Sequence, residues 1–332
     1  MINECFDQLQ KVSGPCGDET QVASVLQDIL TPFVDEVFKD ALGNLYAVKN
    51  PVVQTDGPVE TIMLSAHMDE PTVTVIDIDD AGFIRVEAVG KLQPAGLIGA
   101  RVRFARTGRL GVIGAQAHVE LKDIAFRHLF VDVAAQNKED AMQMVKLGDF
   151  ATLHNPVDAF STDVIVGPSL DSKVSCAILV DILQKAQNQK KVIAVFTVQK
   201  QAGSRGAHVA GFRGSPDLAV TIDLTKAGDT PNAERPALKM GDGPAIKMLD
   251  AGMVVAPSVR DRLVTAAKRA DVAYQFEVAQ TSSSDTGALF ISRGGIRAGG
   301  VSVVARYASL MSQMIDTKDV ARTIALLTAL LE

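Results

Sequence analysis

Three polar side chains, His67, Asp69 and Glu70, follow an apolar run of strand length at residues 61–66. In open α/β sheets, ligands bind outside the carboxyl ends of the strands, so this position favours a ligand site. If Asp69 accepts one ring N–H of a neutral His67, the tautomer is fixed and the other ring nitrogen is free for a metal ion. The alternatives are a hydrogen-bonded structural histidine at His67 and a solvated carboxylate at Glu70.

Two aspartates after other strand-like segments are further candidate ligands. Asp171 comes soon after residues 164–167, and Asp223 ends residues 217–223. One imidazole nitrogen and two carboxylates would give a zinc-like ion three ligands, and would leave open positions for water or substrate. The alternative is an α/β crevice that binds its ligand without a metal.

The elements that must position these side chains are helices alternating with strands. This alternation predicts an α/β fold with a mostly parallel sheet flanked by helices. The predicted helices cover residues 22–30 (behind a cap at residues 17–20), 173–187, 258–269 and 317–331. The predicted strands cover residues 37–48 (two strands joined at Gly43 and Asn44), 61–66, 164–167, 191–198, 217–223, 274–278 and 301–304.

Residues 71–162 have a different character from the rest of the chain. They contain short segments rich in Val and Ile that are separated by Gly, Pro and Asp turns. This pattern predicts a small inserted β domain. Residues 1–70 and 163–332 would then form one discontinuous α/β domain around the insertion.

The composition argues against several classes of partner. The formal net charge is −6, and the 33 Lys and Arg residues form no basic run, so we expect no nucleic-acid partner. No apolar stretch reaches the roughly 18 residues that indicate a membrane span, and the first residues do not resemble a signal peptide. The three scattered cysteines do not suggest a disulfide framework. We therefore predict a cytoplasmic protein with reduced thiols and no membrane partner.

Several short motifs, in the same order along nearly the whole chain, resemble those of the M42 aminopeptidases, a family that includes glutamyl and deblocking aminopeptidases. The resemblance implies a metallopeptidase-like α/β domain interrupted by a small β domain that is used in assembly. It also implies a homo-oligomer, from a dimer to a dodecamer. The motifs are residues 42–45, 66–70, 111–114, 222–231, 243–247 and 306–307.

The resemblance also implies a centre of two metal ions. The first ion would be bound by His67, Asp171 and Asp223, and Asp69 would orient His67. The second ion would share Asp171 and add a glutamate and a histidine. The family's glutamate-glutamate pair, which supplies the general base and a metal ligand, is replaced in this chain by Lys200 and Gln201, and the family's histidine is replaced by Ser309.

These replacements change the predicted chemistry. A lysine at its ordinary pKa of about 10.4 is protonated at neutral pH, so Lys200 cannot accept a proton from water. An amide and a hydroxyl bind zinc poorly, so we expect no second ion at Gln201 and Ser309. One divalent ion, zinc or cobalt, remains an open alternative at the first position. Our hypothesis is that the Lys200 ammonium occupies or borders the vacant second position and pairs with Asp171.

The sequence leaves three functions to weigh. We favour a peptidase relative that is impaired or inactive and acts as a binding or assembly subunit, with a peptide or small amide as its ligand. The alternative is an active metal-dependent aminopeptidase or amidase with a single or altered metal centre, and a third option is an assembly component without a ligand. Asp285, in a loop rich in Ser and Thr, and Arg306 are further candidate pocket residues, although Asp285 could equally cap a turn.

Overall fold

The computed structural model describes residues 2–52, 57–233, 238–280 and 284–332. Residues 281–283, in the Ser/Thr loop predicted to hold Asp285, lie outside this set. The strands are β1 (Glu36–Lys39), β2 (Leu45–Lys49), β3 (Thr61–His67), β4 (Thr72–Ile78), β5 (Ile84–Val89), β6 (Arg101–Phe104), β7 (Leu110–Ala115), β8 (Leu129–Asp132), β9 (Phe150–Leu153), β10 (Asp158–Ala159), β11 (Val164–Gly167), β12 (Lys191–Thr197), β13 (Leu218–Lys226), β14 (Ala245–Asp250), β15 (Met253–Val254), β16 (Gln275–Ala279), β17 (Arg297–Arg306) and β18 (Gln313–Asp316).

Helices cover both faces of the sheet that most of these strands form. Within the described ranges, no helix is both long and apolar enough to cross a lipid bilayer. The helices are α1 (Glu4–Leu9), α2 (Thr20–Leu30), α3 (Lys138–Met144), α4 (Leu170–Lys185), α5 (Arg205–Gly214), α6 (Pro257–Arg269), α7 (Asp285–Phe290) and α8 (Thr317–Leu331).

The large sheet is mixed. Its strand order is β1-β2-β12-β3-β13-β17-β18-β11-β10, and β14 joins it on β17 and carries β15 and β16. The central strands β12, β3, β13 and β17 are parallel, and β16 pairs parallel with β14, whereas the other pairs are antiparallel. The predicted α/β fold is confirmed, but the prediction of a mostly parallel sheet is not. Short connections such as those of β1 to β2 and β17 to β18 can join only antiparallel strands, and hydrophobic periodicity does not reveal that direction.

The core of the molecule places the carboxyl ends of the central strands beside the start of α4. Six of the seven residues of β3 are buried, as expected for a parallel strand covered on both faces. Helix α4 is buried along nearly its whole length and packs on β3 and β13 on one side and on α1, α2 and α8 on the other. An apolar helix covered in this way has little freedom to shift, so its first turn, which contains Asp171, is held at the edge of the sheet.

A closed barrel of β4, β5, β8, β7, β6 and β9 lies between β3 and α4 in the chain. Its strands run from Thr72 to Leu153, and it has a hydrophobic core of its own around Phe104, Leu129 and Val131. The following strand, β10, instead pairs with β11 of the large sheet. The barrel lies inside the predicted insertion, whereas domain boundaries at residues 71 and 162 stay a prediction.

Gly206, near the start of α5, is expected to be a sensitive position in the fold. An added Cβ would collide with Asn44 Oδ1 and would lie 2.5 Å from the Val198 carbonyl oxygen. We predict that Gly206→Ala lowers the free energy of unfolding by about 1–3 kcal/mol, because backbone atoms must move to admit the methyl group. Urea denaturation measures the change. Gly294→Ala is the matched control because nothing lies within 4 Å of its Cβ, and equal losses in the two variants would contradict the prediction.

Candidate functional site

The parallel centre of the sheet brings the predicted site residues to one edge. Thr197, the last residue of β12, lies opposite His67, the last residue of β3. Asp223 is in the neighbouring strand β13, and Asp171 is in the first turn of α4. The nearest oxygens of Asp171 and Asp223 both lie 3.7 Å from His67 Nε2. The structure therefore brings His67, Asp171 and Asp223 together.

The ring of His67 is oriented by the residue that the sequence pointed to, but through a different group. His67 Nδ1 lies 2.9 Å from the Asp69 backbone oxygen and 3.5 Å from the nearer carboxylate oxygen of Asp69. The Nδ1–H therefore donates to the Asp69 carbonyl. Burial and Lys200 oppose a charged ring, whereas hydrogen bonds with Asp223 and Asp69 raise the pKa of His67 to about 10. Because the Lys200 ammonium lies 3.0 Å from Nε2 and can only donate, the geometry favours a neutral ring with no proton on Nε2. This tautomer makes Nε2 a hydrogen-bond acceptor that points at Asp171 and Asp223.

The acceptor at His67 Nε2 is taken by Lys200. Lys200 Nζ lies 3.0 Å from His67 Nε2 and 2.9 and 2.7 Å from the two Asp223 oxygens. The ammonium thus donates to two of the three residues expected to bind the first ion. The hypothesis that Lys200 pairs with Asp171 at the second position differs from this geometry, in which Asp223 is its ion-pair partner.

The surroundings of Lys200 keep it charged. Burial opposes its charged form, but the carboxylates of Asp223 and Asp171 outweigh burial and hold the pKa of Lys200 above its ordinary value. Burial likewise disfavours an ionised Asp223, but the adjacent Lys200 ammonium holds the pKa of Asp223 below its ordinary value. An ammonium bonded in this way has no lone pair with which to accept a proton.

Asp171 is in a different electrostatic state from Asp223. Burial raises the pKa of Asp171, although the Lys200 ammonium opposes that shift. Its Oδ1 atom is buried and has no hydrogen-bond partner among the described residues. Its backbone N–H donates to the side-chain oxygen of Gln313, 3.0 Å away. Asp171 is therefore an under-satisfied polar group of the site, as is Asp285 through its own buried Oδ1 atom.

Two buried carboxylates hold the loop that presents Lys200. The Asp69 carboxylate accepts the backbone N–H groups of Lys200 at 2.9 Å and Gln201 at 2.8 Å. The Glu19 carboxylate accepts the backbone N–H of Gln199 at 2.9 Å. The sequence gives no sign of this role for Glu19, because no spacing signal connects residue 19 with residue 199. Asp69 thus positions both His67 and the Lys200 backbone.

The donor set does not fit a divalent ion in this arrangement. A tetrahedral zinc ion about 2.1 Å from each ligand would put the ligand atoms roughly 3.4 Å apart, close to the 3.7 Å separations around His67. However, Lys200 Nζ fills the space between His67 and Asp223, and its positive charge repels a cation. Among the described residues, His67, Asp171 and Asp223 also do not offer three ligand atoms that all lie within 4.8 Å of one another.

A second set of residues does offer three such atoms, namely Cys16, Glu19 and Asp69. Their carboxylates already bind backbone N–H groups of the loop at residues 199–201. Burial, followed by the neighbouring Asp69, raises the pKa of the Cys16 thiol, so it stays protonated. We therefore interpret this set as the anchor of the loop.

The structure also gives positions for the other site residues that the sequence predicts. Gln201 and Ser309 both line the cleft beside the site, and Ser309 is exposed. Asp285 is buried and accepts a hydrogen bond from the Thr197 hydroxyl at the end of β12. Arg306 forms a two-pronged ion pair with Asp229, at 3.0 and 2.7 Å.

The site opens into a cleft of about 890 Å³ between the sheet, the barrel and the loop that follows β17. Lys200, Asp171 and Asp223 lie on its wall, together with Lys91 and Leu92 from the barrel segment. This volume is near the upper end of what small-molecule sites occupy, so the cleft has room for a ligand of several residues.

Comparisons with known proteins agree with the fold and the motifs. A family model described as M42 glutamyl aminopeptidase matches residues 43–326. A putative aminopeptidase of Acetivibrio thermocellus is 34% identical over 98% of this chain and 97% of its own length.

Solved structures give the same result. An aminopeptidase from the archaeon Desulfurococcus kamchatkensis superposes with a TM-score of 0.93 at 30% identity, over 99% of this chain and 94% of that one. The TET1 peptidase of Pyrococcus horikoshii, described as assembling into a tetrahedron or a large octahedral shell, shares the fold with a TM-score of 0.88 at 24% identity, over 100% and 99% of the two chains. The chain belongs to the M42 peptidase family.

Proposed function

We propose that this chain is an M42 relative that binds a peptide in its cleft with little or no hydrolysis, and that it serves as a binding or assembly subunit. The proposal rests on one observation. Lys200 stands where the family pattern has its general base, and its ammonium is bonded to His67 and Asp223. The residue at the position that would activate water is therefore a proton donor, whereas the reaction needs a proton acceptor.

The charge balance of the site supports this proposal. A buried carboxylate is tolerated only when it is paired or protonated. The Lys200 ammonium pairs with Asp223, and burial raises the pKa of Asp171. Because one positive charge already compensates Asp223, the site does not need a divalent ion to stabilise its charge.

A second candidate function keeps the peptidase reaction. His67, Asp171 and Asp223 are all present and converge, and Asp171 Oδ1 has no hydrogen-bond partner within the described ranges. If Lys200 moved away, these residues would offer a divalent ion the donor types that zinc prefers, and the ion would supply an activated water. A single-ion aminopeptidase or amidase is therefore the alternative, and metal content separates the two candidates.

We also propose that copies of this chain assemble with one another. Structural similarity to the tetrahedral TET1 peptidase supports this proposal, as do apolar side chains on the outside of the barrel segment. These exposed side chains include Ile76, Leu110, Val112, Leu121 and Leu147.

The first of three predictions from the proposed function concerns turnover. With zinc, cobalt or manganese present, we expect the protein to cleave aminoacyl p-nitroanilides at about 1% or less of the rate of the triple variant Lys200→Glu, Gln201→Glu, Ser309→His. The physical reason is that general acid–base catalysis contributes roughly 10²- to 10⁴-fold. Adding His67→Ala to the triple variant is the control and should abolish the restored rate. Rapid cleavage by the unmodified protein would refute the proposal.

The second prediction concerns metal uptake. Protein purified without chelator should carry less than about 0.1 equivalents of zinc, because the Lys200 ammonium competes for His67 and Asp223. Lys200→Ala removes that competitor and should bind about one equivalent of zinc. Lys226→Ala is the matched control, since Lys226 also lines the cleft but is exposed. Elemental analysis measures both, and a full equivalent of zinc in the unmodified protein would favour the single-ion enzyme.

The third prediction concerns assembly. Light scattering on the eluting protein should give at least twice the mass of one chain. Leu121→Asp with Leu147→Asp should shift the protein toward monomer, because charged groups at these positions would lose solvation in an interface. Lys122→Asp, at a solvent-exposed charged position, is the control. A monomer at all concentrations would contradict the assembly proposal without touching the peptide-binding one.

A further inference from the structure

We infer that the outer edge of β16 binds an extended peptide as an added strand along the cleft. This inference rests on the proposed function, because it names the ligand class and the binding mode of the same cleft. Strand addition uses backbone hydrogen bonds for affinity, so it would make binding largely independent of peptide sequence.

The backbone of β16 has one edge open to a partner. β16 pairs with β14 on one side, and in the described part of the chain no strand pairs with its other side. The Gln275 N–H donates to the Pro244 carbonyl, 2.9 Å away, so the Gln275 backbone faces β14. In a parallel ladder, alternate residues bond to the same neighbour. The N–H and C=O groups of Phe276 therefore face outward. The same holds for Val278, because the register shift between Lys247 and Leu249 adds its extra residue to β14 and not to β16.

This open edge belongs to the cleft that contains Lys200. Phe276, Val278 and Gln280 line the same cleft as Lys200 and Asp223. A peptide lying along β16 would thus run beside Lys200 and Asp223. β16 is therefore a wall of the cleft. Because its outer edge is open, it is also a ready template for pairing with another chain.

The side chains of β16 alternate in a way that suits an extended ligand. Phe276 and Val278 are 47% and 56% exposed, whereas Glu277 between them is buried and bonded to Lys247 at 2.7 Å. The Phe276 ring is held edge-on by Tyr274, with ring centroids 5.5 Å apart. Residues two apart on a strand are about 6.8 Å apart, so these two apolar side chains can contact every second side chain of a peptide.

The cleft is suited to a peptide more than to a compact anion or sugar. The Lys200 charge is already compensated by Asp223, so its ammonium is not available to an anion, although Lys91 and Lys226 also line the cleft. A strand of five residues gives roughly 17 Å of continuous backbone donors and acceptors. A peptide in an extended conformation matches that spacing, whereas a compact ligand would leave the outward groups of Phe276 and Val278 unused.

The test measures peptide binding separately from cleavage. The probe is a fluorescently labelled hexapeptide of alternating valine and serine, and fluorescence anisotropy with the full-length protein measures its affinity. Two further peptides carry backbone N-methyl groups, one on the valines and one on the serines. Strand addition predicts that one of the two methylated peptides binds at least about tenfold more weakly, because several edge hydrogen bonds are lost, while the other binds within about twofold of the parent.

Protein variants test the same edge from the other side. Val278→Pro removes an outward N–H and spares the pairing with β14, so it should weaken binding of the parent peptide about three- to tenfold. Val278→Thr keeps the backbone donor and is the matched control, with little loss expected. Circular dichroism checks that both variants are folded. If Val278→Pro does not fold, the methylated peptides still test strand addition on the unmodified protein.

The results separate this inference from the proposed function. Absence of peptide binding would overturn both strand addition and the proposed peptide-binding function. Equal effects of the two methylation patterns, with the parent peptide bound, would overturn strand addition alone. Cleavage of the parent peptide would overturn the non-hydrolytic proposal, while the methylation pattern would still report whether β16 pairs with the peptide.

Discussion

The contact between the Lys200 ammonium, His67 and Asp223 is the interaction on which the rest of the site depends. Lys200 Nζ lies 2.7 to 3.0 Å from His67 Nε2 and the Asp223 oxygens. This contact occupies two of the three side chains that could bind an ion. It also compensates a buried carboxylate that would otherwise be destabilising. The same residue therefore stabilises the edge of the sheet and, under the proposed function, stands in place of the group that would activate water.

The scaffold around this contact is rigid because several elements meet there. Parallel pairing fixes the ends of β3, β12 and β13 at one level, and the buried helix α4 places Asp171 beside them. The Asp69 and Glu19 carboxylates hold the loop of Lys200 by its backbone N–H groups. Preorganisation of this kind usually serves catalysis. In this chain it holds an ammonium in place.

Much of the site was accessible from the sequence because its signals are local. An apolar strand followed by His67 and Asp69 indicated a ligand site, and the family motifs then identified Lys200, Gln201 and Ser309 as departures. α8 begins and ends where its periodicity predicts, because the Asp316 side chain caps its first turn. The family assignment by resemblance is confirmed by the matching family model.

The rest of the site depends on contacts between distant parts of the chain. Strand direction at the edges of the sheet follows from connection lengths and tertiary pairing, so the mixed sheet was not foreseen. The partner of Lys200 depends on side-chain reach across three strands, and the spacing of residues does not determine it. The Glu19 contact joins residues 180 positions apart and has no sequence signature. The open edge of β16 emerges only from the topology.

A double-mutant cycle on Lys200 and Asp223 tests the central claim most directly. Unfolding by urea would be measured for the unmodified protein, Lys200→Met, Asp223→Asn and the double variant. Each single change should cost about 3–5 kcal/mol, because it leaves a buried charge unpaired. The double change should cost at least about 1 kcal/mol less than the sum of the two. Strictly additive losses, unaffected by chelator, would show that the ammonium and the carboxylate do not interact, and would contradict the account.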